Sequence, residues 1–466
     1  MSAAAAASAA PVVSDRTFLG HPRGLAYLAF TEAWERFSYY GMQTLLVLYM
    51  VNQLLQPGHI EAIAGFTGFR AAVEGAYGGP LSVVALASAI FGLYTGFVYV
   101  TPIAGGIIAD RWLGRTRTVT LGAVLMSLGH FLMAFDASFL IALACLLAGV
   151  GCFKGNLASQ VGELYPAGDP RRADAFQIYY LAINAGVIVT PLVVGTLGEV
   201  YGWHYGFGAA GVGMLIGLAI YLSGRRWLPA GTVSRREASA PRPRLTRNER
   251  GAVVLLILLL PVLAAGMVGN QQIFNAYLLW APVHVDLMFF GRAIPTTWLI
   301  TVDSVLSVSA LVAVLALWRL WSRRFAEPSE VTKITLGLFI SAGGVLMLAA
   351  ASQMAASGHK AAFGWALAFH VMNSIGGANI LPVGLALYTR AAPKALTGTL
   401  LGFYFLHLFA ANNLVGWLGG LLEKLPGTQF WLLHAALVGG AGVVFLIVRR
   451  VFGHLVAPGD GVAGAA

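Results

Sequence analysis

The sequence predicts an all-α membrane protein of about twelve transmembrane helices, arranged as two six-helix bundles with both termini cytoplasmic. Three observations predict it. The 466 residues are 58% hydrophobic and 10% charged, with a mean hydropathy of +0.76; soluble domains carry about 25% charged residues. Apolar blocks of about 20 residues recur along the whole chain, each long enough to cross a hydrocarbon core about 30 Å thick. A basic, proline-containing linker, RRWLPAGTVSRREASAPRPRLTRNER (225–250), divides those blocks six and six.

The blocks fall near residues 25–52, 82–109, 117–135, 138–163, 173–199 and 205–227 before the linker. After it they fall near 252–281, 295–320, 331–355, 361–389, 396–422 and 429–453. The organisation is therefore a tail over 1–24, an N-terminal bundle over 25–228, a linker over 229–250, a C-terminal bundle over 251–454 and a tail over 455–466. The opening MSAAAAASAAPVVSDR lacks a basic segment followed by a long apolar core, so it reads as a disordered cytoplasmic tail rather than a cleaved signal. Leu164-Tyr165 with Pro170 recurs as Leu387-Tyr388 with Pro393, an echo that suits a duplicated six-helix unit. Cys145 and Cys152 lie about 10 Å apart along one helix, too far to pair.

Charge placement sets the orientation. Of 29 Lys and Arg, Arg36 and Lys154 lie within spans, and only Arg70, Arg292, Lys360 and Lys424 fall in outer loops when both termini are inside. Positive charge kept on the inner side is the usual asymmetry of membrane proteins. The net charge of +10 thus points to anionic lipid at a cell inner membrane, and not to nucleic acid. No obligate protein partner is expected.

The stretch TEAWERFSYYG (31–41) puts Glu32, Glu35 and Arg36 inside the first span. Insertion scales charge about 2.5–3.5 kcal/mol for an Asp, Lys or Arg at a helix centre, so such groups pair or face a wet cavity. On a helix Glu32, Glu35, Arg36 and Tyr40 share one face, and Gln43 continues it. The alternative for Glu32, nearest the inner end, is snorkelling to headgroups. GVGCFKGNLASQ (149–160) adds Lys154 in mid-span four, flanked by glycines. Two carboxylates against two cations make a nearly neutral set, and one proton on a carboxylate frees a cation. GGIIADRWLGRTRTV (105–119) joins spans two and three. Its Asp110, Arg111 and Arg115 can form a charged latch, or can simply hold the topology.

These stretches resemble the proton-dependent oligopeptide transporters of the major facilitator superfamily. The resemblance rests on E-x-x-E-R-F-x-Y-Y-G in span one, the 105–119 loop, GCFKGN in span four and FQIYYLAINAG (176–186) in span five, with Tyr180, Asn184 and Gly186 in register. It is clear over 25–225 and weaker beyond. It implies the major facilitator fold and symport of di- and tripeptides with protons, driven by the proton gradient without a cofactor. By position it assigns proton coupling to Glu32, Glu35, Arg36 and Lys154. It assigns peptide binding to Arg36, Tyr40, Tyr99, Lys154 and Asn184, with Gln43, where the family often has Arg, and Gln271 expected in the same pocket. Without the resemblance, Tyr99 and Asn184 read equally as interhelical hydrogen-bonding residues.

The C-terminal half departs from the family. Gln271 of GNQQ and Gly377 of SIGGANILPVGL stand where the family usually has acids, the second of which commonly meets the peptide amino terminus. Asp303 of ITVDSVLS is the one acid read deep in a C-terminal span. It is expected to take over the ammonium or a gating role, assisted by Tyr404 and His407, or else to be a structural acid bonded to Ser304 or Thr301. His130, His370 and His434 read as packing residues.

Other function classes find less support. No G-x-x-x-x-G-K-[ST] loop is present for an ATP-driven pump, and no H-E-x-x-H metal spacing or G-x-S-x-G nucleophile turn for an enzyme. Neither a catalytic nor a metal site is expected. The nearest rival is a relative that moves another solute, such as a modified peptide, nitrate or a drug.

Overall fold

A computed structural model describes residues 17–166, 168–229, 245–289, 291–393 and 396–456. The tails over 1–16 and 457–466 and the linker residues 230–244 lie outside the described residues.

Ten helices among the described residues are long and apolar enough to cross a membrane. They form spans two (Val83–Leu113), four (Asp136–Glu163), five (Arg171–Tyr201) and six (Trp203–Trp227) of the N-terminal half. In the C-terminal half they form spans seven (Arg247–Gly266), eight (Trp298–Trp321), nine (Glu330–Ala355), ten (Phe363–Ala391), eleven (Thr397–Gly419) and twelve (Gly427–Val451). Span one (Arg23–Tyr49) and span three (Arg115–Leu132) complete the expected twelve. Each is less apolar for a local reason. Span one holds Glu32, Glu35 and Arg36, and span three opens on Arg115 and Arg117.

Three features differ from the sequence reading. The loop after span one contains a short helix, Phe66–Tyr77, in which Arg70 and Glu74 pair one turn apart at 2.9 Å. Span seven starts at Arg247, inside the stretch read as linker, because Thr246 and Glu249 build a reciprocal cap on its first turn. That span is also interrupted. It stops at Gly266, passes through short turns over 268–274, and resumes as Ala276–His284 after Asn275 breaks the helical backbone. A two-residue hairpin pairs Met288–Phe289 with Arg292–Ala293 outside the spans.

The sequence echo has a structural counterpart. Tyr165 bonds His21, just before span one, at 2.8 Å, and Tyr388 donates to the Leu256 carbonyl of span seven at 2.5 Å. Each tyrosine thus ties its bundle to that bundle's own first helix. Where spans two and three join, Gly114 takes a φ of +72°, a backbone conformation that favours glycine.

The halves meet at the end remote from the termini. Span two crosses span eleven where a side chain on Gly92 would strike the Asn412 carbonyl and the Gly416 backbone. Span five meets span eight through Glu199, whose carboxylate accepts the Thr296 and Thr297 amides at 2.9 and 2.8 Å. Trp298 donates to Thr196 at 2.9 Å, and Thr301 to the Ile188 carbonyl at 3.0 Å. Ser82 also bonds Glu423 across this seam. Small residues and hydrogen bonds, rather than hydrophobicity, join helices in lipid, and this seam is built from both. Gly92→Leu is therefore expected to disfavour the closed seam. The check is labelling of Ser88→Cys by an impermeant maleimide, with Cys145 and Cys152 replaced; buried Ser88 sits in the same crossing, and its labelling should rise severalfold.

Candidate functional site

Span one turns its charges inward. The side chains of Glu32, Glu35 and Arg36 are only 4%, 0% and 6% exposed. Arg36 Nε lies 3.0 Å from Glu32 Oε1 and 2.5 Å from Glu35 Oε2, and the guanidinium sits 5.5 Å from the centre of the Tyr39 ring. Tyr179 of span five faces Glu32 and Arg36. Glu32 is thus paired and buried, which overturns the snorkelling alternative.

Lys154 faces this set from span four, within electrostatic reach of Glu35, Glu32 and Arg36. Its ammonium lies 4.9 Å from the centre of the Tyr99 ring, a cation–π contact across to span two. The approach needs small residues. A side chain on Gly186 would meet Ala33 and the Arg36 stem, so only glycine lets span five reach the charged face of span one. Gly105 and Gly151 similarly bring spans two and four into backbone contact, and Asn156 donates to the Gly105 carbonyl at 3.2 Å.

Coulomb attraction holds the set while its hydrogen bonding stays incomplete. Neither Glu35 oxygen nor Arg36 Nη2 has a well-aligned hydrogen-bond partner among the described residues. Burying ions costs several kcal/mol each, and pairing offsets that cost only when lone pairs and protons are satisfied. This set keeps capacity to accept a proton and an anion.

A cavity of about 470 Å³ lies between the halves. Tyr180 and Asn184 wall it from span five; Asn270, Ser307, Gly377 and Tyr404 wall it from the C-terminal half. Its size is within the range of about 300–1,000 Å³ usual for small-molecule sites. Asn184 Nδ2 donates to the Tyr180 carbonyl of its own helix at 2.8 Å, so the interhelical alternative for it does not hold.

Other expected residues fall nearby. Tyr40 is half-buried, its ring 5.9 Å from that of Phe274 at the break in span seven. Gln43 is buried, and its Oε1 has no partner among the described residues. Gln271 lies at the same break, 3.5 Å from Asn270 Oδ1. Gly377, where the family's acid would stand, is on the cavity wall and leaves it uncharged there.

The structure corrects three expectations. Asp303 bonds neither Ser304 nor Thr301, whose hydroxyls donate to the Ile300 and Ile188 carbonyls. Its Oδ1 instead lies 2.9 Å from Nδ1 of His370, so His370 is no mere packing residue. Tyr404 and His407 do not assist Asp303. Tyr404 donates to the Leu381 carbonyl at 2.7 Å, and His407 bonds the Tyr404 carbonyl. In the 105–119 loop Arg115 does pair with Asp110, at 3.9 Å, and also with Glu163 at the end of span four, while Arg111 is exposed.

Sequence reasoning missed Tyr39, Tyr179, Glu163 and His370. Tyr179 and Tyr39 stood inside the quoted motifs; Glu163 and His370 meet their partners only through the fold.

Comparison with known proteins bears on this arrangement. A family model described as the POT family matches residues 116–236 and 245–432. A peptide transporter of Yersinia enterocolitica is 29% identical, the match covering 93% of this chain and 95% of that protein. A di-/tripeptide transporter of Lactococcus lactis is 26% identical over 94% and 97%. A crystal structure of peptide transporter POT in complex with sulfate superposes with a TM-score of 0.82 at 26% identity, covering 94% of this chain and 97% of that one.

Proposed function

The chain belongs to the POT family of transporters, and from that premise we propose that it is a proton-coupled symporter importing di- and tripeptides by alternating access. We place it in the cell inner membrane, with both termini cytoplasmic and the proton gradient as its only energy source. One observation carries the reading: a buried, nearly neutral set of two carboxylates and two cations in the N-terminal half, in a fold whose cavity is walled by Tyr180 and Asn184 of that half and by residues of the other.

Such a set can exchange partners. With Glu35 ionised, Arg36 and Lys154 are balanced within the N-terminal half. A proton on Glu35 removes that balance and leaves cationic charge for a peptide carboxylate, for which Arg36 Nη2 is unpartnered. Tyr40, Gln43, Tyr99, Asn184 and Gln271 would then hold the peptide backbone, with its amino terminus toward the C-terminal half. The Arg115–Glu163 pair, with Asp110 and Arg111, would act at the end that holds the termini. Protons, peptide and surrounding lipid are the partners this scheme needs.

The test is uptake into proteoliposomes under an inward proton gradient, comparing dialanine, trialanine and N-acetyl-dialanine. Both free peptides should accumulate, and N-acetyl-dialanine should enter at least about tenfold more slowly, equivalent to about 1.4 kcal/mol. Accumulation that ignores the gradient, or equal uptake of the acetylated peptide, would remove proton coupling or amino-terminal recognition respectively.

A further inference from the structure

Spans seven, eight and ten converge on a buried hydrogen-bonded chain in the C-terminal half. Tyr277 Oη lies 2.9 Å from His370 Nε2, and His370 Nδ1 lies 2.9 Å from Asp303 Oδ1. Tyr277 and His370 are fully buried; the Asp303 side chain is 11% exposed.

The surroundings leave this chain electrically alone. Tyr277 packs against the rings of Phe369, Trp280 and Trp431. Span seven also carries His284, bonded to the Trp280 carbonyl. Span nine has no ionisable residue between Lys333 and His359, and span five none between Tyr180 and Glu199. Span twelve presents His434, held by Gln272 and the Phe430 carbonyl, and span eleven presents His407, held by the Tyr404 carbonyl. Among the described residues no cation pairs with Asp303 except a protonated His370.

The geometry satisfies two protonation states. In the neutral ring, Nδ1–H donates to Asp303 and Tyr277 O–H donates to Nε2. A proton arriving at Nε2 makes an imidazolium that donates at both nitrogens, while the Tyr277 hydroxyl rotates to accept. The site passes from a net charge of −1 to 0 without losing a hydrogen bond.

Its position suits transport of that proton. Thr301, two residues before Asp303, belongs to the closed seam; Ser307, one turn after, lines the cavity and lies 3.1 Å from Ser374 of span ten. Asp303 therefore lies one helical turn from the cavity wall on one side and two residues from the seam on the other. Opening the seam would turn the same carboxylate toward the opposite face of the membrane.

We propose that Asp303, His370 and Tyr277 form a second proton-carrying site, so that two protons, one at Glu35 and one here, move with each peptide. The inference rests on the symport reading. It is tested in proteoliposomes of the full chain, with the membrane potential clamped to zero and a pH gradient of one unit. The reading is the dialanine gradient at which net flux stops. One proton per peptide balances a gradient of about tenfold, and two balance about 100-fold. The wild type should reach about 100-fold, and His370→Gln and Asp303→Asn about tenfold. Tyr277→Phe, the change least able to disturb the fold, withdraws the acceptor that the imidazolium needs and should also fall to about tenfold. A wild-type value near tenfold, or a monodisperse variant that keeps about 100-fold, overturns the second site and leaves symport standing. A wild type that balances no gradient overturns symport itself.

Discussion

Glu35→Gln lowers proton-driven accumulation of dialanine at least about tenfold for each unit of pH gradient, while exchange of labelled for unlabelled dialanine continues. The expectation follows from where the carboxylate sits. Glu35 is fully buried against Arg36, with Lys154 in electrostatic reach and no aligned hydrogen bond on either oxygen. Gln keeps the shape and mimics the protonated acid. The set is then held in the state that binds a peptide carboxylate but cannot release a proton to finish the cycle. Exchange needs only the loaded carrier to move back and forth, so it survives. Net uptake under an imposed pH gradient and the exchange rate, measured on one preparation, check both halves of the statement. Unaltered accumulation would remove Glu35 from coupling.

Arg36→Ala has the second large effect, and it reaches stability as well as transport. Removing one partner of a buried ion pair costs about 3–5 kcal/mol because the other charge is left unpaired. Here two carboxylates, Glu32 and Glu35, would be left with Lys154 as the nearest cation. A fall in melting temperature of several degrees is expected, together with loss of both accumulation and exchange. Arg36→Lys should fold better yet transport poorly, because an ammonium cannot set Nε against both carboxylates while leaving Nη2 for an anion. The double variant Glu35→Gln with Arg36→Ala should recover part of the lost stability, since it removes one orphaned charge. Thermal unfolding in detergent measures all three, and equal stability of the single and double variants would show that the ion pair is not what holds these spans.

Much of this was legible in the sequence, and the limits have physical causes. Twelve spans could be read because hydrocarbon thickness sets a block length, and the charged stripe because 3.6 residues per turn puts Glu32, Glu35 and Arg36 on one face. The break in span seven left a local trace in the polar run GNQQ, yet the apolar residues on either side of it read as one block. Partners distant in sequence left no trace. The structural alternative for Asp303 rests on its neighbours Ser304 and Thr301, which instead satisfy backbone carbonyls, as hydroxyls on helices commonly do. Its actual partner, His370, lies on another span and looked like any lone histidine in an apolar run. Arg115 keeps its near neighbour Asp110 at 3.9 Å, but its second partner, Glu163, is brought to it only by the fold.

The most direct test of the buried ionic set as a proton coupler is lumenal pH during peptide influx, recorded in proteoliposomes that begin with no pH gradient and a clamped potential. Dialanine added outside should acidify the lumen in proportion to the peptide that enters, and Glu35→Gln should lose net influx and acidification together. Influx of dialanine into wild-type vesicles with no change in lumenal pH would contradict the account.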